Sequence, residues 1–368
     1  MSKKGRVLVA MSGGIDSTAT AMMMHEEGYE VVGITMKTWD YAQSGGSKKE
    51  TGCCSLDSIN DARAVAVRMG FHHFIVDIRE EFGDYVIENF VDEYIAGRTP
   101  NPCVLCNTHI KWSSLLKRAD AMDCEFIATG HYARINQLDG RHFISKSIDL
   151  KKDQSYVLWG LTQDCLARTQ FPLGNMNKPE VRKYVFDAGY EEFSKKAESF
   201  EICFVPDNDY RSFLRRRVPD LEQKVKGGQF VNTQGEVIGT HEGYPFYTIG
   251  QRKGLGIAFG EPMFVSKIIP ETNTVVLGKI DELLRNGMTV GKVNLQKYAA
   301  IVDGFESITQ IRYNDGGTLS SLKNTEGGKI GVEFFANVKG VAPGQSAVFY
   351  EGDDVIGGGI IMGSYLNN

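Results

Sequence analysis

Cys106 is followed by Asn107, a residue suited to capping a helix, and then by a helical pattern with Lys111 in its first turn. A helix N-terminus and a nearby cation both favour thiolate over thiol, and the thiolate is the nucleophile, so Cys106 is the better-activated thiol. Cys103 lies three residues earlier, and that Cys-x-x-Cys spacing reads as a redox couple, half a metal site or a chance pair. Cys203 stands in the apolar run Glu201-Ile202-Cys203-Phe204-Val205-Pro206, where a buried structural cysteine is the ordinary reading. Cys53 and Cys54 are adjacent ahead of a helix, and Cys124 and Cys165 look like small hydrophobes; none of the four is assigned a role.

A second constellation, Ser12-Gly13-Gly14-Ile15-Asp16-Ser17, follows the first strand and opens the first helix. There, successive backbone N–H groups and the positive end of a helix converge, and two glycines let a phosphate approach the main chain. The segment from Ser12 to Ser17 therefore reads as a pyrophosphate cradle. The loop lacks the Lys-Ser/Thr ending of a Walker loop, which disfavours transfer of a γ-phosphate. Ser-Gly-Gly-x-Asp-Ser resembles instead the PP-loop of ATP pyrophosphatases, which cleave ATP between its α and β phosphates and make adenylates. Ligands of open α/β sheets bind beyond the C-terminal ends of the strands, which nominates Met36 and Gly130 for the adenine side.

These loops need a rigid frame. Over the first two hundred residues β-branched runs at 7–10, 31–36, 74–78 and 126–129 alternate with amphipathic stretches at 18–27, 58–69, 80–96 and 110–122, the pattern of an open, mostly parallel α/β sheet. Gly97–Asn107 breaks that alternation with prolines and cysteines and reads as a loop held on the sheet. Asn177, Pro179 and Glu180 read as a capped helix start. Gly227–Gly260 is too glycine-dense for a long helix, and from about Gly287 short strands separated by Asn314-Asp315-Gly316-Gly317 and Pro343-Gly344 predict a small β-barrel or sandwich.

Hydrophobic residues at 42% and charged residues at 24% match ordinary soluble usage, with no apolar run long enough to span a bilayer. The first apolar stretch runs into a glycine turn and reads as a strand rather than a signal peptide. Seven cysteines in such a chain predict a reducing, cytoplasmic setting and thiols that are free, metal-bound or catalytic. A net charge of -5 requires any RNA surface to be a local patch: Arg211, Arg215, Arg216 and Arg217 with Lys224 and Lys226, and separately Lys151 and Lys152.

Six segments, AMSGGIDST, GRTPNPCVLCN, ATGHYA, KKDQSYVLWGL, EICFVP and GYPFYTIGQRKGLGI, occur in an order that resembles the bacterial tRNA-specific 2-thiouridylases, the MnmA family, along the whole chain. The resemblance implies an N-terminal PP-loop parallel-sheet domain over 1–208, a small central α+β domain over 209–282 and a C-terminal β-barrel over 283–368. It implies ATP with Mg as substrate, bound by Ala10–Ser17, Met36 and Gly130, with Cys106 as nucleophile and Cys203 as the persulfide carrier. Asn101, Pro102 and Cys103 would face the target base, and His131, Lys152, Asp153, Gln154, Arg312, Tyr313 and Gln345 would touch tRNA. Arg312-Tyr313 also suits RNA on its own terms, since guanidinium and aromatic planes stack on splayed bases. A persulfide-donating protein, a cysteine desulfurase or sulfur relay protein, is the implied partner, and no membrane is involved.

The sequence departs from the commonest family pattern at Cys103, where an aspartate usually stands. Cys103, Cys106 and Cys203 together are an alternative ligand set for an iron–sulfur cluster that would present sulfide. The rival functions are an amide-forming PP-loop ligase, which needs neither paired thiols nor an RNA surface, and a non-catalytic RNA-binding module, which leaves the intact loop unexplained.

Overall fold

The computed structural model describes residues 4–39, 55–196, 202–205, 207–257 and 260–367, so Cys53 and Cys54 lie outside the described residues. The chain forms two compact units: the first holds 1–86, 103–208 and 353–355, the second 87–102, 209–352 and 356–368.

In chain order the N-terminal half contains β1 (Arg6–Ala10), α1 (Ile15–Glu26), β2 (Glu30–Lys37), α2 (Leu56–Met69), β3 (His72–Asp77), α3 (Arg79–Phe82), α4 (Glu88–Ile95), α5 (Pro102–Leu105), α6 (Trp112–Ala121) and β4 (Phe126–Ala128). A hairpin of β5 (Ala133–Leu138) and β6 (Arg141–Lys146) follows, then α7 (Gln163–Ala167), β7 (Thr169–Gln170), α8 (Lys178–Asp187) and α9 (Glu191–Ser194). The expected alternation is present, and the sheet it builds is parallel throughout, in the order β3-β2-β1-β4-β7. Strand order reverses at β1, so the crevice between the ends of β1 and β4 is the switch point where such sheets take ligands. β1 is Arg-Val-Leu-Val-Ala with Val7, Leu8 and Val9 fully buried, as a central strand covered on both faces requires. Helix α1 buries Ile15, Ala19, Ala21, Met22 and Met24 in one cluster with Val7, Val9, Val181 and Val185. Helix α2 starts where the Ser55 side chain accepts from Ser58 N and stops at Gly70 in the left-handed conformation. Asn177 N donates to Glu180 Oε2 at 2.6 Å, completing the expected capping box of α8.

Two expected boundaries move, for one reason. The stretch expected as a loop up to Asn107 is helical from Pro102, and a π turn, Cys106–Lys111, carries α5 directly into α6. Proline breaks a helix interior but suits its first turn, where no N–H partner is lost. A second π turn, Gly83–Ile87, joins α3 to α4.

The second unit contains α4 together with α10 (Tyr210–Arg217), α11 (Leu221–Lys224), β8 (Gly228–Val231), β9 (Val237–His241), β10 (Phe264–Ile269), β11 (Thr274–Gly278), β12 (Leu284–Leu295), β13 (Phe305–Gln310), β14 (Thr318–Thr325), β15 (Lys329–Lys339), β16 (Ser346–Glu351) and most of β17 (Asp354–Tyr365). A four-stranded sheet runs β10-β11-β8-β9. The later strands run β12-β15-β14-β13-β16-β17, and β12 pairs back onto β17, which closes a barrel around Met288, Val290, Leu322, Val332, Phe349, Ile356 and Ile361. Within this unit α4 packs on α10, with the rings of Phe90 and Phe213 5.8 Å apart and those of Tyr94 and Tyr210 stacked at 4.6 Å.

Candidate active site

Ala10 ends β1, and Met11 N continues the ladder to Ile34 O at 2.8 Å before the chain turns. Ser12 N donates to Ser17 Oγ at 3.1 Å, and Ser17 Oγ donates to Gly14 O at 3.0 Å, so the serine side chain braces the loop from inside. Gly14 is the N-cap of α1, whose first N–H groups face the loop. Gly13, at φ +70°, has the Ser58 carbonyl where a side chain would begin, 2.0 Å from an ideal Cβ. Gly130, just past β4, would place a Cβ 2.9 Å from the backbone of Asp16, so the loop beyond β4 meets the loop beyond β1 at the switch point. Met36 is half-buried near the end of β2, in register with Val76 of β3.

Three partners of this loop escaped the sequence reading. Lys178 Nζ contacts both carboxylate oxygens of Asp16, at 2.7 and 2.8 Å, and the Tyr132 hydroxyl donates to Asp16 Oδ1 at 2.8 Å. Lys196 Nζ donates to Gly13 O at 2.9 Å and pairs with Asp61 of α2. The two lysines supply cations that the loop's own sequence lacks. Their only local signal is that Lys178 occupies the first position of a capped helix.

Cys106 is buried at the start of the π turn, and Asn107 is no N-cap: it lies inside the helical run, 2% exposed, with Nδ2 donating to Val157 O at 3.1 Å. The expected activation of Cys106 by a helix terminus is therefore absent, because Pro102 starts the helix one turn earlier. The nearby cation remains. A π turn has i to i+5 periodicity, which puts Lys111 one turn from Cys106. Desolvation raises the pKa of the Cys103 thiol, and the charge of Lys111 offsets part of that rise. That charge also adds to the desolvation that depresses His131 to about 3, leaving that imidazole neutral.

Cys203 is half-buried and is followed by Phe204 and Val205, each 1% exposed. The Phe204 ring packs edge-on against Phe82 of α3 at 5.8 Å, and α3 also touches the π turn that begins with Cys106. One short helix thus backs both thiol-bearing segments. Cys106 and Cys203 are thiols rather than halves of a disulfide. Among the described residues no group of three or more His, Cys, Asp or Glu side chains is already gathered as a bound metal ion would need. Cys124 is buried, its pKa raised to about 11 by that burial, and Cys165 is buried with Thr162 Oγ1 donating to its sulfur; both are structural.

In the first unit His131 bonds Thr129 Oγ1 through Nδ1 at 2.8 Å and packs near Trp112 and Phe171. Lys152, Asp153 and Gln154 are half-buried in one loop. The Asp153 carboxylate accepts from Ser147 N at 2.8 Å and Ser155 Oγ at 2.6 Å, and burial raises its pKa. Gln154 Oε1 accepts from Tyr132 N at 3.0 Å. In the second unit Asn101 is half-buried and Pro102 buried, while Arg312 and Tyr313 are exposed in the β13–β14 loop. Gln345 Nε2 donates to Thr99 O at 3.1 Å and Pro100 O at 2.8 Å, fixing the backbone just ahead of Asn101.

The arginine cluster divides. Arg215 is engaged with Glu222 and Glu242 and lies over the Phe246 ring, and Arg211 lies over Tyr247, whereas Arg216, Arg217, Lys224 and Lys226 are exposed.

Residues 5–207 match the tRNA methyl transferase HUP domain family, 211–279 the tRNA methyl transferase PRC-barrel domain and 285–361 the aminomethyltransferase beta-barrel domain. The chain is similar to proteins named tRNA-specific 2-thiouridylase MnmA from Cytophaga hutchinsonii (63% identical over 99% of each chain), Amoebophilus asiaticus (62%, over 99% of this chain and 96% of that one) and Salinibacter ruber (55%, over 98% and 95%). With a nucleotide-type loop at the switch point of its parallel sheet and similarity to these proteins over nearly its whole length, the chain belongs to the tRNA-specific 2-thiouridylase family.

Proposed function

We propose that the chain is an ATP-dependent tRNA sulfurtransferase that replaces the 2-oxygen of the wobble uridine with sulfur. The observation that carries this reading is the Ser12–Ser17 cradle at the β1/β4 switch point, in the same unit as two thiol segments backed by one helix. A uracil C2 carbonyl is a poor electrophile, because its oxygen leaves badly. ATP held by Ala10–Ser17, Met36 and Gly130 adenylates that oxygen and releases pyrophosphate. The target base, unstacked into the site, faces Asn101, Pro102 and Cys103. The terminal sulfur of a Cys203 persulfide attacks C2, and AMP departs with the oxygen. The Cys106 thiolate then attacks the Cys203 sulfur, which breaks the sulfur–sulfur bond, frees the thiouridine and leaves a Cys106–Cys203 disulfide for an external dithiol to reduce.

Magnesium would enter on the triphosphate, in keeping with its habit of holding phosphates and waters rather than an all-protein cage. His131, Lys152, Asp153, Gln154, Arg312, Tyr313 and Gln345 serve the tRNA, directly or by fixing a loop. A cytoplasmic persulfide-donating protein reloads Cys203. The domains are 1–208, 209–282 and 283–368. No helix among the described residues is long and apolar enough to cross a membrane.

The test supplies enzyme, tRNA, labelled ATP and a cysteine desulfurase with cysteine, then analyses nucleosides by mass spectrometry. One AMP and one pyrophosphate should form per 2-thiouridine, and Cys106→Ser or Cys203→Ser should each lower thiolation by about 100-fold or more. Release of ADP would overturn the adenylation step, and full activity of either serine variant would overturn the thiol chemistry.

A further inference from the structure

The cradle contains a carboxylate, Asp16, where an incoming triphosphate brings several negative charges, and like charges at close range oppose binding. That carboxylate is clasped. Lys178 Nζ lies 2.7 and 2.8 Å from its two oxygens, and the Tyr132 hydroxyl donates to Oδ1 at 2.8 Å. The Lys178 side chain is only 7% exposed, against 32% for Asp16, so the ion pair is shielded from salt and water mainly on the lysine side. The ammonium also lies 5.5 Å from the Tyr132 ring centroid.

Each arm of the clasp is fixed from behind. Lys178 is the first residue of α8, behind its capping box, and its backbone N donates to Asp149 Oδ2 at 2.9 Å. Tyr132 is held by both its main-chain groups: its N donates to Gln154 Oε1 at 3.0 Å, and its O accepts from Gln154 N at 2.8 Å. A long lysine side chain loses most of its rotamer freedom in such a place, and an exposed surface pair would not need this support.

We propose that Lys178 is a positioning residue of the nucleotide site: with Tyr132 it neutralises and fixes Asp16, so that the loop accepts a polyanion. This rests on the nucleotide-binding reading of the loop given above.

The experiment measures ATP binding and steady-state kinetics with the full-length chain, magnesium present. Lys178→Met, which leaves Asp16 uncompensated, should raise the Kd and KM for ATP about 10-fold or more, with a smaller change in kcat. Tyr132→Phe should raise them a few-fold. On an Asp16→Asn background, adding Lys178→Met should change ATP binding by less than about 3-fold relative to Asp16→Asn alone, because Lys178 acts through that carboxylate. A purely structural role would instead leave the ATP affinity of a folded Lys178→Met protein at the wild-type value and lower only its stability. If Lys178→Met does not fold, the double variant, with no unpaired charge, still answers the question: a folded double variant that binds ATP far more weakly than Asp16→Asn alone overturns the proposal. So does a folded Lys178→Met protein with wild-type affinity. A wild-type chain that binds no ATP would instead sink the nucleotide reading itself.

Discussion

Gly130 packs against the first turn of α1, and the space where a side chain would begin is taken by the backbone of Asp16. Alanine there needs a shift of main chain rather than of a flexible side-chain tip, so Gly130→Ala should cost about 1–3 kcal/mol of stability and weaken ATP binding. Thermal unfolding and ATP titration of that one variant check it, and an unchanged affinity would show that the loops do not depend on this approach. The cradle was legible in the sequence because its chemistry is local: two glycines and two serines within six residues define the turn. Lys178, Lys196 and Tyr132 were not, since they reach the loop from 162, 183 and 116 residues away and carry no spacing that announces it. Gly130 was nominated for a nucleotide contact, and the structure adds a packing reason for it.

At the scale of elements, the π turn between α5 and α6 sets the angular position of the thiols. A π turn holds one residue more than an α turn, so a one-residue deletion can restore the regular ladder. Removing His109, an exposed residue of the turn, should leave a folded helix but rotate Pro102–Cys106 by about 100° relative to α6. Circular dichroism close to wild type with thiolation lost is the expected pair of results; retained activity would show that the thiols tolerate rotation. The helices and parallel strands around the site were readable from apolar periodicity. The helix through Cys103 and Cys106 was not, because prolines on either side of Asn101 look like breaks until Pro102 is placed at a first turn. Asn107 drew a capping assignment for the same reason, whereas tertiary structure uses its amide to hold Val157.

For the whole molecule, acid should be destabilising well above the ordinary carboxylate range. Burial holds His131 at about 3 and His241 at about 4, and lowers His73, whose Nε2 bonds Thr35 Oγ1 at 2.8 Å. In the unfolded chain all three titrate near about 6.5. As pH falls below that value the unfolded state takes up protons that the native state refuses, so stability drops toward pH 4 and is flat in this respect above 7. Asp153, raised by burial, pulls the other way by a single proton. Denaturant midpoints at pH 7.5, 6 and 5 should decline in that order, and a flat series would contradict neutral burial of these histidines. Composition along the chain already separated a sheet-and-helix half from a strand-rich end. It gave no hint that 87–102 would join the second compact unit, because the contacts responsible, such as Tyr94 on Tyr210, link distant stretches.

The barrel closes only because β17 returns to β12, with Tyr365 opposite Gly287. The final strand is thus a keystone: without it β12 and β16 would each present a naked row of amide and carbonyl groups, a template on which other copies of the chain could add. Truncation ahead of β17 would therefore open the barrel and expose both of those edges.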